Sequence, residues 1–105
     1  MFARTTMAEL DPVRMSVDDA VKVFKESVIP ALHEQDGYEG SYVLVSPTGK
    51  ALVLTFWASE EAAEEGVQNG FYNEQVSKFV TIYRAGPGRE IYELVLAEAP
   101  ALTIG

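Results

Sequence analysis

The period with which apolar and polar positions recur changes several times along the chain, and each change marks an element. Residues 2–10 alternate, with Phe2, Arg4, Thr6 and Ala8 on one side and Ala3, Thr5, Met7 and Glu9 on the other, which predicts a strand ended by Asp11-Pro12. From Val17 the period lengthens: Val17, Ala20, Val21, Phe24, Val28 and Leu32 recur at spacings of three and four and form one helical stripe. Ser16 is placed to cap this helix, and Asp18 and Asp19 occupy the first turn, where the helix dipole favours negative charge. Pro30 lacks a backbone donor and predicts a bend or late break before Asp36-Gly37 closes the segment 16–35. Two β-rich runs, 42–46 and 50–57, are joined by Pro47-Thr48-Gly49, a connection suited to an antiparallel hairpin. Ser59 opens a second helical region. It divides into 59–68 and 71–80 because Gly66 and Gly70 weaken its middle, and the second piece turns Phe71, Tyr72, Val76 and Phe79 inward. Ala85-Gly86-Pro87-Gly88 reads as a loop, 90–98 as the last strand and 99–105 as a short apolar tail. The order is β-α-β-β-α-β, an α+β fold with one four-stranded antiparallel sheet and two helices on one face.

An antiparallel sheet with one wet face alternates cleanly between apolar and polar residues. Here Leu52, Leu54 and Phe56 oppose Ala51, Val53 and Trp57, and Tyr92, Leu94 and Leu96 oppose Ile91, Val95 and Ala97, so both faces are apolar. Two helices cover only one of them. Four strands of ordinary length leave on the order of 400 Å² of bare footprint, near the upper range for a soluble monomer. A second copy of the sheet is the simplest cover, so the pattern predicts a homodimer through the open face, with the tail free to reach across.

Composition narrows the partners. The chain has 105 residues, 48% of them hydrophobic, which predicts a single domain over 1–105. It carries 8 Lys and Arg against 16 Asp and Glu, a net charge of −8, which would repel nucleic acid and anionic membrane surfaces. There is no cysteine and His33 is the one histidine, so neither a thiolate nucleophile nor a cysteine or histidine metal cluster can form. No apolar stretch approaches the roughly 20 residues of a membrane helix, and residues 1–10 do not read as a signal peptide. A cytoplasmic location is expected.

Pro30 followed by Asp36-Gly37-Tyr38-Glu39-Gly40, the run Val53-Leu54-Thr55-Phe56-Trp57-Ala58-Ser59-Glu60-Glu61-Ala62, and Ser77-Lys78-Phe79 together resemble the antibiotic biosynthesis monooxygenase-like family of dimeric α/β barrels. The resemblance spans roughly residues 2–98, and its most specific piece is the step from Trp57 into the second helical region. It implies a ferredoxin-like fold and a sheet-to-sheet dimer. The family includes cofactor-free oxygenases of polycyclic phenols, haem-degrading enzymes and small-molecule isomerising relatives. The haem branch resembles a pattern with a tryptophan in the second helix and a histidine about ten residues later; here the helix reads Ala62-Ala63-Glu64-Glu65-Gly66-Val67 and no imidazole follows. The cofactor-free branch implies a slot that holds an aromatic phenol dry, favours its deprotonated form and admits oxygen, with no cofactor or metal.

Three residues are candidates for catalysis in such a slot. Arg4, on a central strand, could hold an enolate or phenolate, or else form an interface salt bridge, for instance to Glu93. Trp57 could wall the pocket and orient a substrate oxygen through its indole N–H, or simply pack in the core. Tyr72 is the third. Phe24, His33, Asn69, Phe71, Asn73 and Tyr83 are candidates for substrate binding; His33 could act as a general base in isomerase chemistry, or lie on the surface as a cation at a helix C-terminus. Arg84 is a further positive group. The alternative is a non-catalytic member that binds a small apolar or aromatic ligand or has a structural role. A cavity of roughly 300 Å³ or more lined by Trp57, Tyr72 and Arg4 would favour chemistry, and a packed core at those positions the alternative.

Overall fold

The computed structural model describes residues 1–11, 13–79 and 83–98, with the backbone alone for 83–87. The strands are β1 (Phe2–Leu10), β2 (Tyr38–Val45), β3 (Lys50–Trp57) and β4 (Tyr83–Glu93), in the spatial order β2-β3-β1-β4 with every neighbouring pair antiparallel. This is the ferredoxin-like arrangement. The tail at 99–105 and the side chains of Tyr83 and Arg84 lie outside the described residues.

The first helical region runs from α1 (Val17–Val23) through a π-helical turn (Phe24–Val28) into α2 (Ile29–His33). Ser16 Oγ accepts from the Asp19 N–H at 3.1 Å, closing the N-terminus as its position requires. The π turn answers Pro30. Proline cannot donate to the carbonyl four residues back and its ring crowds that carbonyl, whereas the wider turn lets the Ile29 N–H bond the Phe24 carbonyl. The chain then turns at Gly37 (φ 80°), where a Cβ would lie 2.7 Å from the Ala62 Cβ. The hairpin between β2 and β3 closes through Ser46 and Gly49 (φ 88°), the Gly49 N–H bonding the Ser46 carbonyl at 3.0 Å. Ser59 Oγ caps α3 (Glu60–Gln68) by accepting from the Ala62 N–H at 3.1 Å. Gly70 (φ 87°) separates it from α4 (Phe71–Ser77).

Three boundaries differ from the sequence pattern. β2 begins four residues early, at Tyr38, through an irregular step at Gly40. The helix expected over 71–80 stops at Ser77, and Phe79 packs half-buried beyond it against both hydrophobic clusters. The largest shift is in the last strand, expected at 90–98. β4 starts at Tyr83 and takes in the stretch read as a loop, with register shifts opposite Met7–Leu10 that accommodate Gly86-Pro87 on an edge strand. It ends at Glu93 because its partner ends there: Glu93 pairs with Phe2, and the Leu94 N–H makes one last bond to the Met1 carbonyl.

Register assigns the two faces. Arg4, Thr6, Ala8 and Leu10 pair with or flank Ala51, Val53, Thr55 and Ile91 beneath the helices. The core there joins Val28, Leu32, Trp57 and Ala63. The opposite face carries Met7, Tyr42, Leu44, Leu52, Leu54, Phe56 and Tyr92, of which Met7, Tyr42, Leu44 and Tyr92 are about half exposed. Among the described residues no helix is long and apolar enough to cross a membrane.

Candidate functional site

Arg4 is central to the site. As an even-numbered residue of β1 it points under the helices, not toward the open face, and it is 3% exposed. Its guanidinium carbon lies 4.9 Å from the ring centroids of both Trp57 and Tyr72. One Nη1–H donates to the Ala63 carbonyl of α3 at 2.8 Å. Among the described residues of this chain no carboxylate pairs with it, and Glu93 sits opposite Phe2. Burial lowers the Arg4 pKa from the ordinary arginine range to about 10; Tyr72 acts to raise it and the neighbouring charge of Arg89 to lower it further. The group therefore stays cationic at neutral pH. Two aromatic faces and one carbonyl solvate it in place of an anion.

An apolar cleft of about 110 Å³, open at one side, lies next to this cation between the sheet and the helices. Its polar positions are Arg4, Thr6, Thr55, Tyr72 and Gln75; Phe24, Phe71, Val28 and Leu32 supply much of its apolar wall. Val21 of α1 and Val43 of β2 are the half-exposed members of its lining. Tyr72 Oη and Thr6 Oγ1 are hydrogen-bonded at 2.9 Å, which fixes the tyrosine across β1. The Arg89 guanidinium stacks on the same tyrosine ring at 5.4 Å.

The residues singled out from the sequence separate into those that meet here and those that do not. Arg4, Tyr72, Phe24 and Phe71 line the cleft. Trp57 is buried beside Arg4, but it does not line the cleft and its indole N–H donates to Thr55 Oγ1 at 2.9 Å, leaving no free donor for a substrate oxygen. It borders a second, polar cleft of about 120 Å³ with Glu34, Gln35, Asp36 and Glu65. His33 is exposed on the end of α2, edge-on to Tyr38 with ring centroids 5.3 Å apart, and does not line the apolar cleft. Asn69 serves α4 instead, its Oδ1 accepting from the Phe71 N–H at 3.0 Å; Asn73 is exposed away from the cleft. The Tyr83 side chain lies outside the described residues. The sequence reading missed Thr6, Thr55 and Gln75. The first shares its side of β1 with Arg4, and that alternation could have flagged it. The glutamates of α3, Glu60, Glu61, Glu64 and Glu65, are exposed to solvent.

Solved structures share this architecture over almost the whole chain. A monooxygenase of Streptomyces coelicolor from the gene ActVA-Orf6, solved with nanaomycin D, superposes with a TM-score of 0.73 at 16% identity, covering 95% of this chain and 92% of that one. The chain has the antibiotic biosynthesis monooxygenase fold. SnoaB of Streptomyces nogalater, a cofactor-independent oxygenase, matches with a TM-score of 0.70 at 7% identity over 91% of this chain and 94% of its own. A protein of unknown function from Nitrosomonas europaea matches at 0.68 and 22% identity, over 95% and 94%. No family model and no curated protein matches the chain in sequence. At these identities the likeness carries the fold and leaves the chemistry to be argued from the site.

Proposed function

We propose that the apolar cleft binds a small aromatic or quinol compound with its ionised oxygen toward Arg4, and that the protein is a monooxygenase-like enzyme that uses no cofactor. One observation carries this reading: a guanidinium charged at neutral pH, buried with no carboxylate paired to it among the described residues, beside a greasy cleft. A fixed cation in a water-poor site favours the phenolate or enolate over the neutral form, since no solvent has to reorganise around the developing charge. An electron-rich carbanion formed in this way reduces dioxygen itself. At an activated methylene, one oxygen atom becomes the new carbonyl, and the other leaves as water with the two displaced hydrogens. Thr6 and the Tyr72 hydroxyl lie on the same wall and can hold the substrate's oxygen edge.

The assembly belongs to the same reading. Seven apolar side chains on the uncovered face form one surface across all four strands, Tyr42 and Phe56 packing edge to face at 5.6 Å. A second copy pressed sheet to sheet buries them, which supports a homodimer acting on a soluble small molecule. A second reading has an observation of its own. The cleft is well below roughly 300 Å³ and Trp57 is packed rather than lining it, which favours a non-catalytic protein that binds a small apolar ligand.

Oxygen uptake separates the two. The metal-stripped protein should consume oxygen with a member of a dihydroxyanthracene and naphthoquinol panel, and Arg4→Met should lose at least about tenfold of that rate. No protein-dependent uptake across the panel would remove the oxygenase reading and leave the binding one.

A further inference from the structure

Gly66 lies in the interior of α3, where a glycine costs about 1 kcal/mol relative to alanine. Its neighbour Gly70 is explained by a left-handed backbone (φ 87°), but Gly66 has no positive φ and needs no conformational freedom. What it lacks is a side chain. A Cβ built there would lie 3.3 Å from Arg4 Nη1, 3.6 Å from the Phe71 ring and 4.0 Å from Arg4 Nη2. We infer that Gly66 is a positioning residue for the site: its bare Cα is the floor on which the Arg4 guanidinium rests.

The guanidinium has little room to yield. Trp57 and Tyr72 hold it at 4.9 Å each, and the Ala63 carbonyl, three residues before Gly66 on the same helix, fixes Nη1 at 2.8 Å. Relief of a few tenths of an ångström must therefore lengthen that hydrogen bond or tilt the plane against one ring. Both move the charge relative to Thr6 and the cleft. Phe71, also near the added atom, is a cleft wall, so the same methyl presses on the cavity from a second side.

This inference rests on the proposed role of Arg4, and the test keeps the two apart. Thermal unfolding of the wild type, Gly66→Ala, Arg4→Met and the double variant gives a cycle independent of any ligand. With Met at position 4, Gly66→Ala should raise Tm by about 4 °C through helix propensity; with Arg4 present the gain should vanish or become a loss. Equal shifts in both backgrounds would overturn the contact. Titration with 2-naphthol near pH 9, below the range in which Arg4 loses its charge, then reads the site. Gly66→Ala should weaken binding about fivefold and Gly66→Ala with Arg4→Lys should recover part of it, because a lysine has no second nitrogen at the crowded position. Unchanged affinity in Gly66→Ala, where wild-type binding depends on Arg4, would overturn the positioning role alone. Wild-type binding that is absent or unaffected by Arg4→Met would instead overturn the proposed function, while the unfolding cycle still decides whether Gly66 and Arg4 are coupled.

Discussion

At the scale of single residues the molecule holds one expensive arrangement. Replacing a buried, unpaired cation by an apolar side chain of similar length is often neutral or stabilising. Arg4→Met is therefore expected to leave stability unchanged or raise it by up to about 2 kcal/mol in urea unfolding, while the site loses its function. The pH dependence has a definite sign. The folded pKa, about 10, lies below that of an ordinary arginine, so the unfolded chain holds this proton more tightly. The resulting penalty is constant well below pH 10 and is relieved as pH rises through about 10 toward the ordinary arginine range. The advantage of Arg4→Met over the wild type should accordingly be flat from pH 6 to 9 and shrink above pH 10; a gap that changes near neutrality would contradict the assignment. Arg4 could be singled out from sequence because a charge on a central strand stands out. Which way it points could not, since both sheet faces are apolar and alternation alone does not say which one the helices cover. Trp57 was ambiguous for a different reason. Thr55, two residues away on the same face, takes its N–H, and that depends on a rotamer that no spacing reveals.

The elements were most legible where the controlling interaction is local. Ser16, Ser59 and the Pro47-Thr48-Gly49 turn act within four residues of themselves, and all three form as their positions require. β4 is governed by pairing with a strand some 80 residues earlier in the chain, so its end is set by where β1 begins. Its own composition carries little of that information. The junction between α2 and β2 is a further non-local constraint. Gly37 combines a left-handed backbone with contact to α3, where a Cβ would come within 2.7 Å of the Ala62 Cβ. Gly37→Ala should destabilise the fold by about 2–4 kcal/mol, from the conformational cost and the overlap together. Chemical denaturation checks this, and a loss below about 1 kcal/mol would show that the helix end moves freely.

Across the whole molecule, the apolar residues on both sides of β3 have a direct structural counterpart, with helices on one side and Met7, Tyr42, Leu44 and Tyr92 half exposed on the other. In β4, by contrast, only Ile91 and Tyr92 of the residues read this way lie in the sheet, because Leu94, Val95, Leu96 and Ala97 follow its end at Glu93. If a second copy covers that surface, Leu44→Glu at its edge should halve the mass seen by light scattering, from twice 11.5 kDa to that of one chain, and leave the helical spectrum intact. A wild type that already scatters as a single chain would remove the dimer. The proposed chemistry does not depend on that outcome, because Arg4, Tyr72 and the cleft belong to one subunit. The central claim is that the buried guanidinium receives the anionic oxygen of an aromatic ligand. Its most direct test is to follow the arginine side-chain nitrogen resonances during titration with 2-naphtholate. The Arg4 signal should shift saturably while Arg14 stays still; an Arg4 signal unchanged at saturating ligand would contradict it.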